Sequence, residues 1–293
     1  MFIRQQLIAV MLSCGALVSA PLIAKSAVWQ ISNGDNNLYI AGTLDFLPAS
    51  AYPLPAEFNY AYQQSDVIVQ AFPLTQINRV QSQIELLQIL RYPMGVSLTQ
   101  KLTISMQQQL ADYFYGIGLD WQQFAAYKPA WVVLNIIARE VQARHYTAEG
   151  IALYFANRSQ QDGKPQYYLS SLQQQFLQLA ALGEGDEEAL LAATLAQWVE
   201  AEVFFAIAAW QEADLEAFAL HSEQGLQHSS PLLYQQLIVL PNQQLLPKIE
   251  KMLADTSVEL VLLDMYILAG KHGLLQLLKQ AGYQVQMLAL SAG

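Results

Sequence analysis

The placement of strand-like segments most constrains the fold of this chain, because these segments lie near its two ends. Residues 28–32 and 38–43 have strand patterns, and the Asn-Gly-Asp-Asn turn between them favours a hairpin. Residues 66–71 form a short apolar run, which is typical of a strand buried on both faces of a sheet. Near the end of the chain, residues 259–263 and 283–288 return to strand patterns.

Helical patterns fill most of the chain between these segments. They extend from residue 75 to about residue 220, with one predicted strand at residues 164–169. Two later helices are predicted at residues 242–253 and 273–280. The chain is therefore predicted to be an α/β protein, in which N- and C-terminal segments form a mixed central β-sheet and the middle region is large and helical.

The composition indicates a globular, acidic protein. Hydrophobic residues make up 54% of the 293 residues and charged residues only 13%, so the chain has ample apolar material for a core. The formal net charge is -10, and no basic stripe interrupts the acidic surface. These features argue against nucleic-acid binding, because phosphate backbones are bound by clustered cations.

Residues 1–26 have the features of a secretory signal peptide. Arg4 supplies the positive start, and an apolar stretch with small residues runs from Leu7 to Ala24. Two alternatives stay open: the stretch is retained as a membrane anchor, or Cys14 belongs to a lipoprotein box. Cys14 is the only cysteine, so cleavage would leave a mature chain without a thiol. We expect a single periplasmic domain at residues 27–293, with membrane contact only through an uncleaved anchor.

A series of short motifs lies along the chain at residues 28–45, 52–55, 65–69, 127–131, 210–215, 270–275 and 282–283. In content and order these motifs resemble the TraB/GumN family, which includes the Tiki-type metalloproteases. The resemblance implies a divalent-metal hydrolytic site built from two Gly-x-x-His motifs and an acid that follows the second core strand. Imidazole and carboxylate groups of this kind are good ligands for Zn, Mn or Co.

This chain departs from the family pattern at most of the positions that the resemblance assigns to the site. Gly42 is kept, and a family Arg-Asn pair keeps only Asn242, which follows Pro241. The remaining family residues, two histidines, three acids and one glycine, are replaced: His by Asp45, Glu by Gln70, Asp by Ala152, Glu by Ser170, Gly by Asp264 and His by Ile267.

These replacements predict that the family's catalytic site has been lost. A catalytic metal site commonly needs about three protein ligands, and Ile267 and Ala152 offer none. We therefore expect no catalytic residues and no cofactor, and a binding or regulatory role in the cell envelope instead. The partner would be a protein, or a small neutral ligand held in an apolar cleft near Gln70, Ser170 and Ile267.

One alternative keeps an enzymatic function. Asp45 and Asp264 both lie within the altered Gly-x-x-His motifs, so they are expected to be neighbours and could hold a divalent cation such as Mg or Ca. The protein would then be a metal-dependent hydrolase or protease with a rearranged site. None of the four histidines takes a family ligand position: His272 is expected to be exposed, and Gly225 argues against one helix that carries both His221 and His228.

Overall fold

The computed structural model describes residues 26–147, 149–199 and 202–290. Apart from Ser26, the predicted signal peptide lies outside these residues. The described residues contain six strands: β1 (Val28–Asn33), β2 (Asn36–Thr43), β3 (Val67–Gln70), β4 (Gln166–Tyr168), β5 (Glu259–Asp264) and β6 (Gln284–Met287).

Thirteen α-helices account for most of the remaining described residues. They are α1 (Ala56–Gln64), α2 (Val80–Ile89), α3 (Ile104–Gly116), α4 (Pro129–Ala143), α5 (Ile151–Asp162), α6 (Leu172–Ala181), α7 (Glu187–Val199), α8 (Glu202–Gln211), α9 (Leu215–Ser229), α10 (Pro231–Tyr234), α11 (Leu240–Met252), α12 (Met265–Leu268) and α13 (Leu274–Gln280).

The six strands form one mixed sheet in the order β4-β3-β5-β2-β1-β6. Neighbours within the β4-β3-β5-β2 half run parallel, whereas β1 pairs antiparallel with both β2 and β6. All residues of β3 and nearly all of β5 are buried, as expected for central strands covered on both faces. The predicted fold class is confirmed, including the strand in the helical middle, which pairs at the edge of the sheet.

The N-terminal hairpin forms where the sequence predicts it. Gly34 has a φ of +62°, which a glycine in a tight turn adopts without strain. In the register that follows, Ile31 pairs with Leu38 and Val28 with Ala41. These four residues are fully buried, so the hairpin contributes one side of the central core.

Polar side chains mark the starts of several helices. Thr103, Ser171 and Asp214 precede α3, α6 and α9, and each accepts a hydrogen bond from a backbone N–H of the first turn. Such caps satisfy amides that have no partner within the helix. Among the described residues, no helix is both long and apolar enough to cross a bilayer.

The C-terminal helices differ from the prediction in two respects. The expected break at Gly225 is wrong, because α9 continues from Leu215 to Ser229 and carries both His221 and His228. Packing of α9 against α8, α10 and α12 outweighs the cost of about 1 kcal/mol for one glycine in a helix. A π-helical turn at Gln235–Val239 then joins α10 to α11, which begins slightly earlier than predicted.

Candidate functional site

The altered family positions gather at one edge of the sheet. In the parallel half, Gly42 and Thr43 pair with Leu263 and Asp264, and Gln70 pairs with Leu262. The carboxyl ends of β2, β3 and β5 therefore meet at the same edge, where parallel sheets commonly bind ligands. The sheet alone brings together three of the positions that the sequence singles out: Gly42, Gln70 and Asp264.

Gly42 is enclosed by three segments of the chain. Its N–H donates to the carbonyl oxygen of Ala27 at 2.7 Å, and its own carbonyl oxygen accepts from Trp210 Nε1 at 2.9 Å. A Cβ atom at this position would lie 2.4 Å from Met265 Sδ. A larger residue here would displace the Met265 side chain, so Gly42 favours the close packing of α12 on the strand.

The loop after β2 is held in place by the start of α5. The N–H of Ile151 donates to the carbonyl oxygen of Leu44 at 3.2 Å. A Cβ atom on Gly150 would lie 2.6 Å from three backbone atoms of Asp45. Glycine therefore lets the α5 N-terminus rest directly on the Asp45 backbone.

We expect Gly150→Ala to destabilise the protein by about 1–3 kcal/mol, since the new methyl group meets backbone that cannot rotate away. Chemical unfolding measures the change. Gly116→Ala is the matched control: it lies at the end of α3 with open space around it, so its stability should be unchanged or higher by up to ~1 kcal/mol. Equal effects of the two variants would contradict the close contact.

Asp264 begins α12 and lies beside Asp45. Its Oδ1 accepts from the backbone N–H of Tyr266 at 2.8 Å, which is the cap of this short helix. Burial raises the pKa of the Asp264 carboxyl to about 7, with a further contribution from the negative charge of Asp45. The hydrogen bond from Tyr266 opposes the shift but does not cancel it.

Asp45 reaches solvent, yet its carboxyl is surrounded by protein. The residue is exposed at the mouth of a cleft, and the crowded walls displace enough water to raise its pKa. The two carboxyls therefore do not ionise independently. Together they retain protons at pH values at which isolated aspartates, with a pKa near 4, are already ionised. The negative charge of Asp45 therefore affects the ionisation of Asp264, as expected if the two residues are neighbours.

Gln70 is buried and only partly satisfied. Its Nε2 donates to the carbonyl oxygen of Ala152 at 2.9 Å, whereas its Oε1 has no hydrogen-bond partner among the described residues. The residue is 1% exposed, so the unpaired oxygen costs about 1–3 kcal/mol. The bond to Ala152 ties β3 to the first turn of α5, next to the Asp45 loop.

The side chains of Ser170 and Asn242 also form hydrogen bonds with backbone carbonyl groups. Ser170 Oγ donates to the carbonyl oxygen of Ala71 at 2.9 Å, which fixes the loop after β4. Asn242 is fully buried, and its Nδ2 donates to the carbonyl oxygen of His272 at 3.0 Å. Its Oδ1, like Oε1 of Gln70, lacks a donor among the described residues. Ile267 packs half-buried against the core and offers no ligand atom.

His272 differs from the expectation of a simply exposed side chain. It is half-buried, and Nδ1 lies 2.8 Å from the hydroxyl of Tyr234. Burial, together with the charge of Lys271, lowers the pKa of the imidazole. Its ring and carbonyl group thus connect the loop before α13 to α10 and α11, a structural role that the sequence did not indicate.

The cleft beside Asp45 has a volume of about 510 Å³. We call it the Asp45 cleft. One wall is an apolar stripe of α4 and the other is the stacked ring pair of Phe46 and Tyr146, whose centroids are 6.1 Å apart. The Tyr146 hydroxyl is buried and has no hydrogen-bond partner among the described residues. The stripe consists of Leu134, Ile137, Ala138, Val141 and the more polar Gln142.

This cleft is not at the predicted position. The sequence places an apolar cleft near Gln70, Ser170 and Ile267, but none of these lines the Asp45 cleft. Gln70 and Ser170 are instead bonded to neighbouring backbone. Apolar residues recur along α4 at helical spacing and are more numerous than its core-facing side requires. This surplus is the sequence signal that could have revealed the cleft.

The donor atoms at this edge do not fit a transition-metal site. Among the described residues, no three His, Cys, Asp or Glu side chains lie together in a way that holds a metal ion. The oxygens at this edge belong to the two carboxylates and the Gln70 amide. Carboxylates bind Zn as well as hard cations, but an amide oxygen is a weak transition-metal ligand, and no imidazole or thiolate completes the set among the described residues. No transition-metal chemistry can therefore be assigned to these residues.

The comparisons with known proteins agree with the motif order. The chain belongs to the TraB/PrgY/gumN family, whose family model matches residues 27–287. No curated protein and no solved structure shows significant similarity to this chain.

Proposed function

We propose that this family member is a binding protein of the cell envelope that holds a small neutral amphiphile in the Asp45 cleft and does not hydrolyse it. The observation that carries the proposal is the cleft itself: an open, mostly apolar space beside Asp45, which stands where the family pattern has a histidine. Its volume is within the range of small-molecule pockets, which are lined mainly by apolar groups with a few polar ones.

The polar groups of the cleft favour a neutral head group. Asp45 sits at one side with a raised pKa, and the Tyr146 hydroxyl is buried without a partner. A hydroxyl-bearing head can donate to the carboxyl and also bond to the phenol, whereas an anionic head would be repelled by Asp45. The α4 stripe and the Phe46 ring would bury the apolar part.

The location in the envelope is supported by the sequence features of residues 1–26. A positive start, an apolar stretch and small residues are typical of an exported precursor. The acidic, cysteine-free remainder is compatible with a periplasmic domain that needs no disulfide.

A binding experiment with the mature chain tests the cleft. Calorimetric titration with 1-octanol should show binding, with weaker binding of octanoate. Ala138→Trp should lower the affinity for 1-octanol at least tenfold, since the indole fills the space against α4. Ala138 is exposed, so the larger side chain leaves the core unchanged.

Ala143→Trp is the control for that variant. It adds the same indole at an exposed position of the same helix, outside the cleft, and should bind like the wild type. Tighter binding of octylamine than of 1-octanol would contradict a neutral ligand. Equal loss of binding in both tryptophan variants would contradict the assignment to this cleft.

A second candidate function is a hydrolase that uses a hard cation at Asp45 and Asp264. The observation in its favour is the buried amide oxygen of Gln70, which has no donor among the described residues and lies at the same edge of the sheet as Asp264. Mg²⁺ or Ca²⁺ should then raise the melting temperature, and Asp45→Asn should abolish the rise. Unchanged melting in either cation and in chelator would exclude this candidate.

A further inference from the structure

A second cavity lies away from the Asp45 cleft, and its lining combines apolar surface with several charged groups. We call it the Lys128 cavity; its volume is about 300 Å³. It is formed where the segment after α2, the start of α4, the end of α6 and the start of α7 meet. Its charged and hydroxyl-bearing residues are Tyr92, Lys101, Lys128, Glu184 and Glu187.

The cavity is built on ordered backbone. The N–H of Tyr92 donates to the carbonyl oxygen of Ala126 at 2.9 Å, and the N–H of Lys128 donates to that of Leu90 at 2.8 Å. These bonds flank the bridge between Arg91 and Tyr127 and hold the two segments side by side. The aromatic and lysine sides of the cavity are therefore fixed relative to each other.

One pair of charges is already satisfied within the cavity. Lys101 Nζ lies 2.9 Å from Glu187 Oε1, and the Glu187 side chain is almost completely buried. Although burial opposes it, the hydrogen bond from Lys101 and backbone N–H groups lower the pKa of Glu187. This ion pair forms part of the wall and leaves little net charge for a ligand.

The other two charges are not used by the protein. Neither the ammonium of Lys128 nor the carboxylate of Glu184 forms an ion pair or a hydrogen bond with any described residue. Glu184 stands between Gly183 and Gly185, whose φ angles of +73° and +87° bring the loop from α6 into α7. The N–H of Gly183 is fixed by Gln236 Oε1 at 3.0 Å, so the loop that carries Glu184 has a defined position.

The Tyr92 hydroxyl adds a neutral hydrogen-bonding group. Burial raises its pKa, and the charges of Glu187 and Glu184 raise it further, so the phenol keeps its proton. Pro93, Val96 and Leu182 supply apolar surface between the charged groups. The cavity thus offers an ammonium and a carboxylate that have no partner among the described residues, together with a hydroxyl and an apolar area.

We propose that the Lys128 cavity binds a small zwitterion of the α-amino acid class, with its carboxylate at Lys128 and its ammonium at Glu184. A ligand with only an anionic group would leave Glu184 unpaired beside it, and a ligand with only a cationic group would do the same to Lys128. The volume limits the ligand to a size near that of one amino acid with an apolar side chain.

The test uses the mature chain and three probes of similar shape: L-leucine, 4-methylpentanoate and 3-methylbutylamine. Ligand-detected NMR titration should show binding of L-leucine and at least tenfold weaker binding of the two singly charged probes, since each of them loses one charge-assisted hydrogen bond. Equal binding of either singly charged probe, or no binding of L-leucine, overturns the proposal.

Variants locate the site. Lys128→Ala and Glu184→Gln should each weaken L-leucine binding at least tenfold. The exposed controls Lys279→Ala and Glu212→Gln should not. Glu184 is exposed on a loop, so its variant stays interpretable if Lys128→Ala fails to fold. Unchanged binding by Glu184→Gln overturns the proposal, and Asp45→Asn should bind L-leucine normally because the two sites are separate.

Discussion

Alanine in place of Trp210 is expected to lower the free energy of unfolding by about 3–5 kcal/mol, the largest loss among the variants considered for this protein. The indole is 2% exposed and lies 5.9 Å from the ring of Phe58, which itself packs on Phe155. The variant leaves a large cavity and removes the donor to the Gly42 carbonyl oxygen. Urea unfolding followed by far-ultraviolet circular dichroism measures the loss.

Two further variants separate the loss of buried volume from the loss of the hydrogen bond and from the removal of an aromatic ring as such. Trp210→Phe keeps much of the volume but loses the hydrogen bond, so it should cost less than the alanine variant, about 1–3 kcal/mol. Tyr115→Ala removes an aromatic ring that is 84% exposed and should change stability by less than ~0.5 kcal/mol. A small effect of Trp210→Ala would show that the helical region is not anchored to the sheet through this contact.

Asp264→Asn should stabilise the protein at pH 8 by about 2–4 kcal/mol and have little effect at pH 4. The folded-state pKa of about 7 lies above the unfolded value near 4. Below pH 4 the carboxyl is protonated in both states, and folding carries no charge-burial cost. As the pH rises from about 4 through 7, only the folded state resists ionisation, so wild-type stability declines.

The amide keeps an oxygen that can accept from Tyr266, so the α12 cap is retained while the charge is lost. Asp112→Asn serves as the control, because Asp112 is exposed on α3 and its amide variant should leave the pH dependence unchanged. Stability profiles from pH 4 to pH 8, measured by chemical unfolding, compare the three proteins. Parallel profiles for wild type and Asp264→Asn would contradict the raised pKa.

Much of the fold could be predicted because its strands carry local signals. The Asn-Gly turn and alternating residues define the hairpin, and the apolar runs at Val67–Gln70 and Glu259–Asp264 can only be central strands. The helical continuation through Gly225 and the π-helical turn at Gln235–Val239 could not be predicted. Both depend on packing against other helices, and the local residue pattern carries no information about that packing.

The site was predictable only in part, since strand ends follow from topology but cavity walls do not. The sequence places Asp45 and Asp264 within the two altered motifs, and the charge interaction between their carboxyls agrees with the expected proximity. It does not reveal the Asp45 cleft, whose walls come from α4 and from Tyr146, roughly a hundred residues later in the chain. Nor does it indicate that Gln70 and Ser170 are occupied by bonds to the backbone.

The pairing of β2 with β5 has a consequence for how the protein is made. Tyr39 is aligned with Leu260, so the two central strands are separated by most of the polypeptide. During synthesis from the N-terminus, the β2 edge of the hairpin stays unpaired until β5 has been made. Late closure of such non-local contacts slows folding and leaves an unpaired strand edge exposed in the meantime.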